Sequence, residues 1–287
     1  MPKLIEIFQI DAFTSEPFCG NPAAVVFNDF LTETEMKSIA AEMNLSETAF
    51  LSSSDKADFN LRWFTPKTEV NLCGHATIAS LHFLFEKNLL RENSEITFNT
   101  KSGIIKAGKT SDSYWMQIPK VEFTKIDTDM SELFSALKLK SSAVNKNVFV
   151  GTNTYLFIGV DNLQTLFNLE PDFIKISGII SSQKSFSDIA VYTLQTLEED
   201  STAHLRFFAP ADGIYEDPVT GSAAGPLLLL LHHQNLIKDF SDDKIYKIEQ
   251  GDILKRKGRV GVSYNSKSGV LKIHGNAVTI LIGKLLI

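Results

Sequence analysis

The sequence contains few cysteines and no long apolar segment. Its two cysteines among 287 residues, Cys19 and Cys73, form no CxxC pair and no cluster with histidine. They cannot supply a disulfide framework for a chain of this size, so a reducing compartment, the cytoplasm, is expected. Charged residues interrupt the first eleven positions, and no secretory signal is expected. The apolar run Pro226–Leu231 is far shorter than the roughly 20 residues of a membrane span, so no membrane partner is expected.

Basic charge is also scarce. Lys and Arg together number 28 against 34 Asp and Glu, which gives a net charge of −6. This balance argues against a general nucleic-acid or anionic-membrane binder, because phosphate binding needs a basic face. No GxGxxG follows a strand pattern, and no GxxxxGK(S/T) or HExxH occurs, so neither nucleotide binding nor a metal site has support. The length predicts two domains or one large one.

The chain contains an internal repeat. Residues 62–66 read Arg-Trp-Phe-Thr-Pro, and residues 206–210 read Arg-Phe-Phe-Ala-Pro. Each is followed by a polar stretch, a Gly-x-Ala turn and an apolar helix pattern, with Gly74-His75-Ala76 in the first half and Gly221-Ser222-Ala223 in the second. A shared order of strand, turn and helix predicts a duplicated half-chain. The alternative is a chance match, because such turn residues are common in α/β chains.

The local patterns predict a strand-rich protein with few helices. Thr32 and Glu35 form a capping box, which predicts a helix from Glu33. Two further patterns, Ala76–Leu90 and Ala223–Gln234, are apolar on nearly every face. Such helices are buried all round, which in a strand-rich chain predicts a helix wrapped by a curled sheet. Shorter helices are predicted at Ser131–Lys138 and Pro171–Ile180, and a linker at Lys120–Met130.

The turns before the two apolar helices predict an anion site. A helix N-terminus presents unpaired N–H groups and a positive dipole, and Gly74 and Gly221 would let a ligand approach the backbone closely. If the halves face each other, both termini point into one cleft suited to a substrate carboxylate. The alternative is that the glycines only allow a strand to pass into a helix.

Several side chains near these turns could move protons. His75 would lie at the mouth of the first helix, and Asp217, held extended by the following proline, could project into the same cleft. Ser222 occupies the repeat position of His75 and could donate to a bound oxygen. Each has a simpler interpretation as a capping or turn residue.

Glu47 and Cys73 are the remaining candidates. Glu47 enters an apolar strand, where a carboxylate is costly unless paired or functional, and burial would suit it to acid/base catalysis. Counting back from the repeated arginine makes Val191 its counterpart, so Glu47 is predicted to break the symmetry. Cys73 beside a helix N-terminus is predicted to have a lowered pKa. Its counterpart Thr220 cannot serve as a base, so no two-thiol mechanism is available.

Six motifs, in order and across nearly the whole chain, resemble the phenazine-biosynthesis PhzF-like isomerase family. They are Gln9-Ile10-Asp11-Ala12-Phe13, Gly20-Asn21-Pro22-Ala23-Ala24-Val25, Asn44-Leu45-Ser46-Glu47-Thr48, Arg62-Trp63-Phe64-Thr65-Pro66, Leu72-Cys73-Gly74-His75-Ala76-Thr77 and Glu216-Asp217-Pro218-Val219-Thr220-Gly221-Ser222-Ala223.

The resemblance implies an α+β fold of the diaminopimelate-epimerase type. Two pseudo-symmetric domains, residues 1–122 and 123–277, would each wrap a curled, mostly antiparallel, barrel-like sheet around a central apolar helix, with the site in the cleft between them. The strand at residues 278–287 would return to the first domain. The resemblance also implies a homodimer that uses no cofactor.

The same resemblance implies roles for the candidates. Glu47 is similar to the family's proton shuttle, and His75 and Asp217 to the groups that assist it. The residues similar to substrate-binding positions are Asn21, Cys73, Gly74, Gly221 and Ser222.

The leading hypothesis is therefore a cofactor-free isomerase acting by proton transfer on a small carboxylate-bearing metabolite. The alternatives are an amino-acid epimerase or racemase using Cys73 with a carboxylate, and a catalytically silent small-molecule binding protein.

Overall fold

Two apolar helices lie at the centre of the computed structural model, which describes residues 3–287 without the side chains of residues 145–147 and 212. Ten of the thirteen residues in each helix are buried. The α-helices of the described chain are α1 (Glu33–Met43), α2 (Gly74–Glu86), α3 (Ser131–Ala136), α4 (Leu163–Phe167), α5 (Phe173–Ser182) and α6 (Gly221–His233), with 3-10 turns at Ser141–Ala143 and Pro210–Asp212. Within residues 3–287, no helix combines the length and the apolar character that crossing a membrane requires.

The strands surround these helices and belong to one connected sheet. They are β1 (Leu4–Ala12), β2 (Asn21–Phe27), β3 (Glu47–Ser53), β4 (Phe59–Phe64), β5 (Glu69–Val70), β6 (Ser94–Thr100), β7 (Gly103–Lys109), β8 (Tyr114–Ile118), β9 (Phe123–Ile126), β10 (Val144–Gly151), β11 (Tyr155–Val160), β12 (Asp188–Thr193), β13 (Ser201–Ala209), β14 (Ile214–Asp217), β15 (Tyr246–Gln250), β16 (Gly258–Asn265), β17 (Val270–Gly275) and β18 (Ala277–Leu286).

The strand pairing of the first half is repeated in the second. In the first half, β1–β2 is antiparallel, β2–β3 parallel, β3–β4 antiparallel and β4–β6 parallel. The pairs β10–β11, β11–β12, β12–β13 and β13–β15 have the same directions in the same order. The remaining hairpins, β6–β7–β8 and β15–β16–β17, also correspond. The duplication predicted from the two arginine motifs is thus present in the topology.

The two halves are not covered by separate sheets. β8 pairs with β17 across the halves, which joins all the strands into one sheet. In strand order the repeat units are β1–β9 and β10–β18, and the last strand of each unit pairs with the first strand of the other, β9 with β10 and β18 with β1. The predicted linker Lys120–Met130 therefore contains a paired strand, Phe123–Ile126. None of the four residues of this strand is fully buried, and its two central residues are exposed. The strand therefore has no alternation of buried and exposed residues that the sequence could reveal.

The local predictions for helices are confirmed, with shifted ends. The Thr32–Glu35 capping box is formed reciprocally, with the Thr32 hydroxyl accepting from the Glu35 backbone and the Glu35 carboxylate accepting from the Thr32 backbone. The central helices begin at the glycines themselves, two residues before the predicted start.

Each half carries a bidentate arginine–glutamate salt bridge at the same repeat position. Arg62 pairs with Glu69 in the first half, and Arg206 with Glu216 in the second. The Arg206 side chain is 5% exposed and also donates to the backbone carbonyls of Leu166 in α4 and Leu169 after it, whereas the Arg62 side chain is 31% exposed. The second pair is therefore the more deeply buried of the two.

The main hydrophobic core runs through both halves, because α2 and α6 both contribute to it. α1 covers the outer face of the first-half strands, and α3, α4 and α5 cover the second-half strands. Gly225 on α6 is packed so tightly that a Cβ there would lie 2.3 Å from Ile118 Cδ1 on β8. This close contact binds the second helix to the first half.

Candidate functional site

The N-termini of α2 and α6 meet where the two halves join. A Cβ on Gly74 would lie 3.5 Å from the Gly221 Cα and 3.7 Å from the Ser222 nitrogen. A Cβ on either glycine would also come within 3.0 Å of Ile273 Cδ1, and a Cβ on Gly221 would in addition lie 2.9 Å from the Phe13 ring, so Gly221 is the more tightly packed of the two. Neither helix has a side-chain cap at its N-terminus. Two positive helix ends with uncapped N–H groups therefore face a common space, as an anion site requires.

A cavity of about 420 Å³ opens at these helix ends. All the sequence-predicted site residues except Asn21 line it. Its polar and glycine wall residues are Glu47, Asn71, Cys73, Gly74, His75, Asn153, Tyr155, Asp188, Asp217, Thr220, Gly221 and Ser222. Residues far apart in sequence thus line one cavity where the two halves meet.

Asn21 lies behind the cavity wall, and its side chain contacts residues of both halves. Its buried side-chain nitrogen donates to Asp217 Oδ1 at 2.8 Å and to the Val219 carbonyl at 2.9 Å, and lies 3.2 Å from His75 Nδ1. Carbonyl and carboxylate oxygens only accept from it, so the amide nitrogen must face them. Asn21 therefore links β2 of the first half to the loop before α6 of the second.

The same contacts fix the tautomer of His75. His75 Nδ1 faces the Asn21 amide nitrogen, which cannot accept, and the Cys73 thiol, whereas Nε2 faces a carboxylate oxygen, which accepts; in the neutral ring the proton is therefore assigned to Nε2. Nε2 lies 3.2 Å from Glu47 Oε2. Burial lowers the pKa of His75 to about 3, so the ring is neutral at physiological pH. The structure thus places a neutral Nε2–H beside the carboxylate of Glu47.

Asp217 is buried within a network of donors. Its Oδ2 accepts from the Thr220 hydroxyl at 2.5 Å and its Oδ1 from Asn21. Gln250 donates to the Asp217 carbonyl and to Thr220 and accepts from the Thr220 nitrogen. Burial raises the pKa of Asp217 to about 6, and the hydrogen bonds from Thr220 and Asn21 oppose the rise. Its carboxyl therefore titrates close to neutrality.

The predicted reactivity of Cys73 is wrong. The thiol is buried, and desolvation, followed by the charge of Glu47, raises its pKa well above the ordinary value. The helix N-terminus would lower the pKa, but the loss of water and a nearby carboxylate outweigh it here. Cys73 is a neutral thiol, 3.5 Å from His75 Nδ1.

Glu47, Cys73 and His75 also form the one group in the described chain with metal-ligand spacing. One ligand atom from each lies within 4.8 Å of the others. Binding a cation there would require a deprotonated thiol and a free ring nitrogen. The raised pKa of Cys73 opposes this, and the free lone pair of His75, on Nδ1, faces the Asn21 amide nitrogen, so the donor set fits proton transfer better than metal binding.

The strand register corrects the predicted counterpart of Glu47. Phe50 lies opposite Arg62, 12 residues on, whereas Val191 lies opposite Arg206, 15 residues on. The β12–β13 hairpin is therefore three residues longer, and a constant spacing gives the wrong match. Val191 corresponds to Phe50, so the counterpart of Glu47 is Asp188.

The parallel pairs agree with this match, since Glu47 lies beside Ala23 and Asp188 beside Tyr155. Asp188, Tyr155 and Asn153 all line the cavity and were missed from the sequence. The signal that would have found them is the repeat itself, aligned strand by strand. Ser222 was predicted, and its hydroxyl lies 3.2 Å from the Tyr155 hydroxyl.

Comparisons with known proteins agree on one family. The model of the phenazine biosynthesis-like protein family matches residues 10–283. An uncharacterized isomerase of Clostridium acetobutylicum is 40% identical over 309 residues, which cover 100% of both chains. The crystal structure of a Bacillus anthracis phenazine biosynthesis protein of the PhzF family has a TM-score of 0.89 at 31% identity, covering 99% of this chain and 100% of that one.

A more distant structure shares the fold alone. A hydroxyproline epimerase from Agrobacterium vitis has a TM-score of 0.67 at 11% identity, covering 99% of this chain and 93% of that one.

Proposed function

Because the chain belongs to the phenazine biosynthesis-like family, we propose that it is an isomerase that moves a proton on a small carboxylate-bearing metabolite without a cofactor. The observation that carries this proposal is the contact between the neutral His75 Nε2–H and the Glu47 carboxylate, at the edge of a cavity that two helix N-termini enter. Relatives described as isomerases support the reaction class.

The substrate carboxylate would bind at the N-termini of α2 and α6. The N–H groups there and the Ser222 hydroxyl supply donors, and both helix dipoles favour negative charge. Binding the carboxylate at this point would hold the rest of the substrate in the cavity beside Glu47. The donors would also stabilise charge that develops on the carboxylate when a neighbouring carbon loses its proton.

Glu47 would act as the proton shuttle. Its carboxylate takes a proton from one carbon of the substrate, and the electron pair of that C–H bond forms a new double bond. The former double bond of the substrate opens onto a second carbon, which receives the proton from Glu47. The double bond moves, the enzyme returns to its starting state, and neither an oxidant nor a cofactor is needed.

His75 and Asp217 would assist from behind. Nε2–H of His75 lies beside Glu47, where it favours the ionised carboxylate before proton abstraction. Asp217 holds Asn21, whose side-chain nitrogen keeps the proton on Nε2.

We also propose that the halves, residues 1–122 and 123–277, act as two pseudo-symmetric domains on either side of this cleft.

Deuterium exchange from heavy water tests the proposal. Small carboxylates with an acidic C–H are incubated with enzyme in heavy water, and incorporation is read by mass spectrometry. We expect Glu47→Gln to slow exchange into a responsive carboxylate by about 100-fold or more, the usual contribution of a general base. Glu42→Gln, which removes an exposed carboxylate from α1, is the matched control and keeps the wild-type rate.

The same experiment separates the other hypotheses. An epimerase that uses the thiol would lose exchange on Cys73→Ser and keep it on Glu47→Gln, whereas the proposed isomerase shows the reverse. A silent binding protein would be thermally stabilised by a carboxylate and exchange none. Either result would contradict the proposed reaction.

A further inference from the structure

A turn of the second half holds the backbone next to Asn21. The turn, residues 251–257, connects β15 to β16, and its Arg256 side chain reaches the first half. Arg256 Nε donates to the Gly20 carbonyl at 2.9 Å. The Gly20 N–H in turn donates to the Lys257 carbonyl at 2.9 Å. Both polar groups of the Gly20 backbone are therefore held by this turn, one residue before Asn21.

Arg256 is held in place by a buried carboxylate. Its Nη2 donates to Asp11 Oδ1 at 2.7 Å and to the Cys19 carbonyl at 3.0 Å. The Asp11 side chain on β1 is completely buried, and its second oxygen accepts from the Phe18 backbone. A buried carboxylate needs such partners, and the planar guanidinium can hold several oxygens in fixed directions at once. The Asp11–Arg256 pair therefore joins the two halves and orients Arg256 toward Gly20.

The residues on either side of the turn contact the acceptors of the Asn21 amide. Asn21 donates to the Asp217 carboxylate and to the Val219 carbonyl. Before the turn, the Gln250 side chain donates to the Asp217 carbonyl at 2.8 Å. After the turn, Gly258 packs directly against the Val219 side chain. One short segment thus contacts both the backbone that carries the donor and the residues that accept from it.

The simpler interpretation of Arg256 is a salt bridge that only adds stability. Two features favour a positioning role instead. The guanidinium bonds the carbonyls of two consecutive residues, which fixes the orientation of the peptide that leads into Asn21. Gly251, which opens the turn, has a φ of +88°, and a Cβ there would lie 2.7 Å from the Pro218 carbonyl. The turn therefore packs against the loop before α6 on one side and against the first half on the other.

We propose that Arg256 is a positioning residue for the candidate active site. By holding the Gly20 carbonyl, it fixes the amide of Asn21. That amide contacts both Asp217 and His75. Arg256 is not among the described residues of the cavity wall, so it acts through Asn21 and not on the substrate. The importance of this position for catalysis rests on the proposed function, whereas the position itself can be measured without a substrate.

The titration of the Asp217 carboxyl measures the position of Asn21. Burial raises the pKa of Asp217 to about 6, and the hydrogen bond from Asn21 opposes the rise, so losing that bond moves the titration midpoint upward. The carboxyl signal is followed by carbon-13 NMR from acidic to mildly basic pH and is assigned by its absence from Asp217→Asn. Asn21→Leu, which loses the bond completely, should raise the midpoint by about one pH unit or more. Glu216, the charged neighbour that also raises this pKa, is unchanged in every variant.

Two substitutions of Arg256 separate position from charge. Arg256→Gln removes the cation and its planar fork, whereas Arg256→Lys keeps a cation beside Asp11 but replaces the fork by a single ammonium group. We expect both variants to raise the Asp217 midpoint by about half a pH unit or more, because the Gly20 carbonyl is released in each. Arg62→Gln is the matched control. It removes another partly exposed arginine that pairs with a carboxylate, and it should lower thermal stability while leaving the midpoint unchanged.

An unchanged midpoint in Arg256→Gln would overturn the proposal and leave Arg256 a structural salt bridge. A midpoint that rises in Arg256→Gln but not in Arg256→Lys would also overturn it, because charge alone would then explain the shift. If Arg256→Gln does not fold by circular dichroism, Arg256→Lys decides the test by comparison with Asn21→Leu.

Deuterium exchange then measures what the position contributes to catalysis. With a carboxylate that exchanges in the wild type, Arg256→Lys should slow exchange about tenfold or more while KM stays nearly unchanged, because a displaced site group lowers the rate more than it weakens binding. Exchange at the wild-type rate would refute the catalytic importance of Arg256. If the midpoint rises as expected but no carboxylate exchanges with the wild type, the positioning stands and the proposed function fails.

Discussion

Replacing His75 by asparagine tests the buried, neutral imidazole at the centre of the site. Burial lowers the pKa of His75 to about 3 in the folded chain, against 6.5 for the free side chain. As the pH falls below 6.5, His75 takes up a proton in the unfolded chain but stays neutral in the folded chain. The contribution of His75 to the free energy of unfolding is therefore fully present above pH 6.5 and is lost as the pH falls toward 3.

The size of the effect follows from that difference. Each pH unit inside the window costs about 1.4 kcal/mol, so the wild type loses about 3 kcal/mol through His75 between pH 7.5 and pH 4.5. In His75→Asn this loss disappears, since asparagine does not titrate. The asparagine oxygen can still accept from Asn21, although the smaller side chain lowers stability at every pH.

Urea unfolding at pH 7.5, 6.5, 5.5 and 4.5 measures the effect as a slope. The variant's free energy of unfolding should fall less steeply with pH than that of the wild type. His233→Asn, which replaces an exposed histidine at the end of α6, is the matched control and should keep the wild-type slope. Parallel lines for His75→Asn and the wild type would show that the ring takes up a proton as readily in the folded chain as in the unfolded chain, which would refute a lowered pKa for His75.

Three further predictions concern the packing around the site. Asn21→Leu leaves a buried carboxylate and a backbone carbonyl without their donor, so it should cost about 1–3 kcal/mol in urea unfolding; an unchanged midpoint would remove Asn21 from the network. Glu216→Gln breaks the more deeply buried of the two arginine pairs and should cost about 3–5 kcal/mol, whereas Glu69→Gln at the repeat position should cost clearly less; equal losses of thermal stability would contradict the burial argument. Gly225→Ala must displace the Ile118 side chain, which offsets its gain in helix propensity, so it should be clearly less stable than Gly178→Ala, which meets open space inside α5 and should add about 0.5–1 kcal/mol; calorimetric melting that moved both alike would refute this packing.

Local patterns were sufficient to predict the elements that build the site. The glycines before two all-apolar helices predicted buried helices with open N-termini, because such a helix can only be stable inside a core. The capping box predicted the start of α1, because its two hydrogen bonds join residues three apart. The repeated arginine motif predicted the duplication, and Glu47, His75, Asp217, Cys73 and Ser222 do line one cavity.

The electrostatics of the site could not be predicted in this way. Cys73 has a raised pKa because desolvation and the charge of Glu47 outweigh the helix dipole, and only the packed structure fixes that balance. The tautomer of His75 depends on Asn21, which is 54 residues away in sequence and was known only from the resemblance.

By itself, then, the sequence determined most of the helices and strands, that the chain is duplicated, and which residues can carry a proton. Only the tertiary structure decided that Asp188 rather than Val191 matches Glu47, and that the predicted linker forms β9 and pairs with β10. The reason is that propensity and capping act over a few neighbouring residues. Strand register, burial and charge depend instead on distant segments, and one hairpin lengthened by three residues is enough to change which side chains correspond.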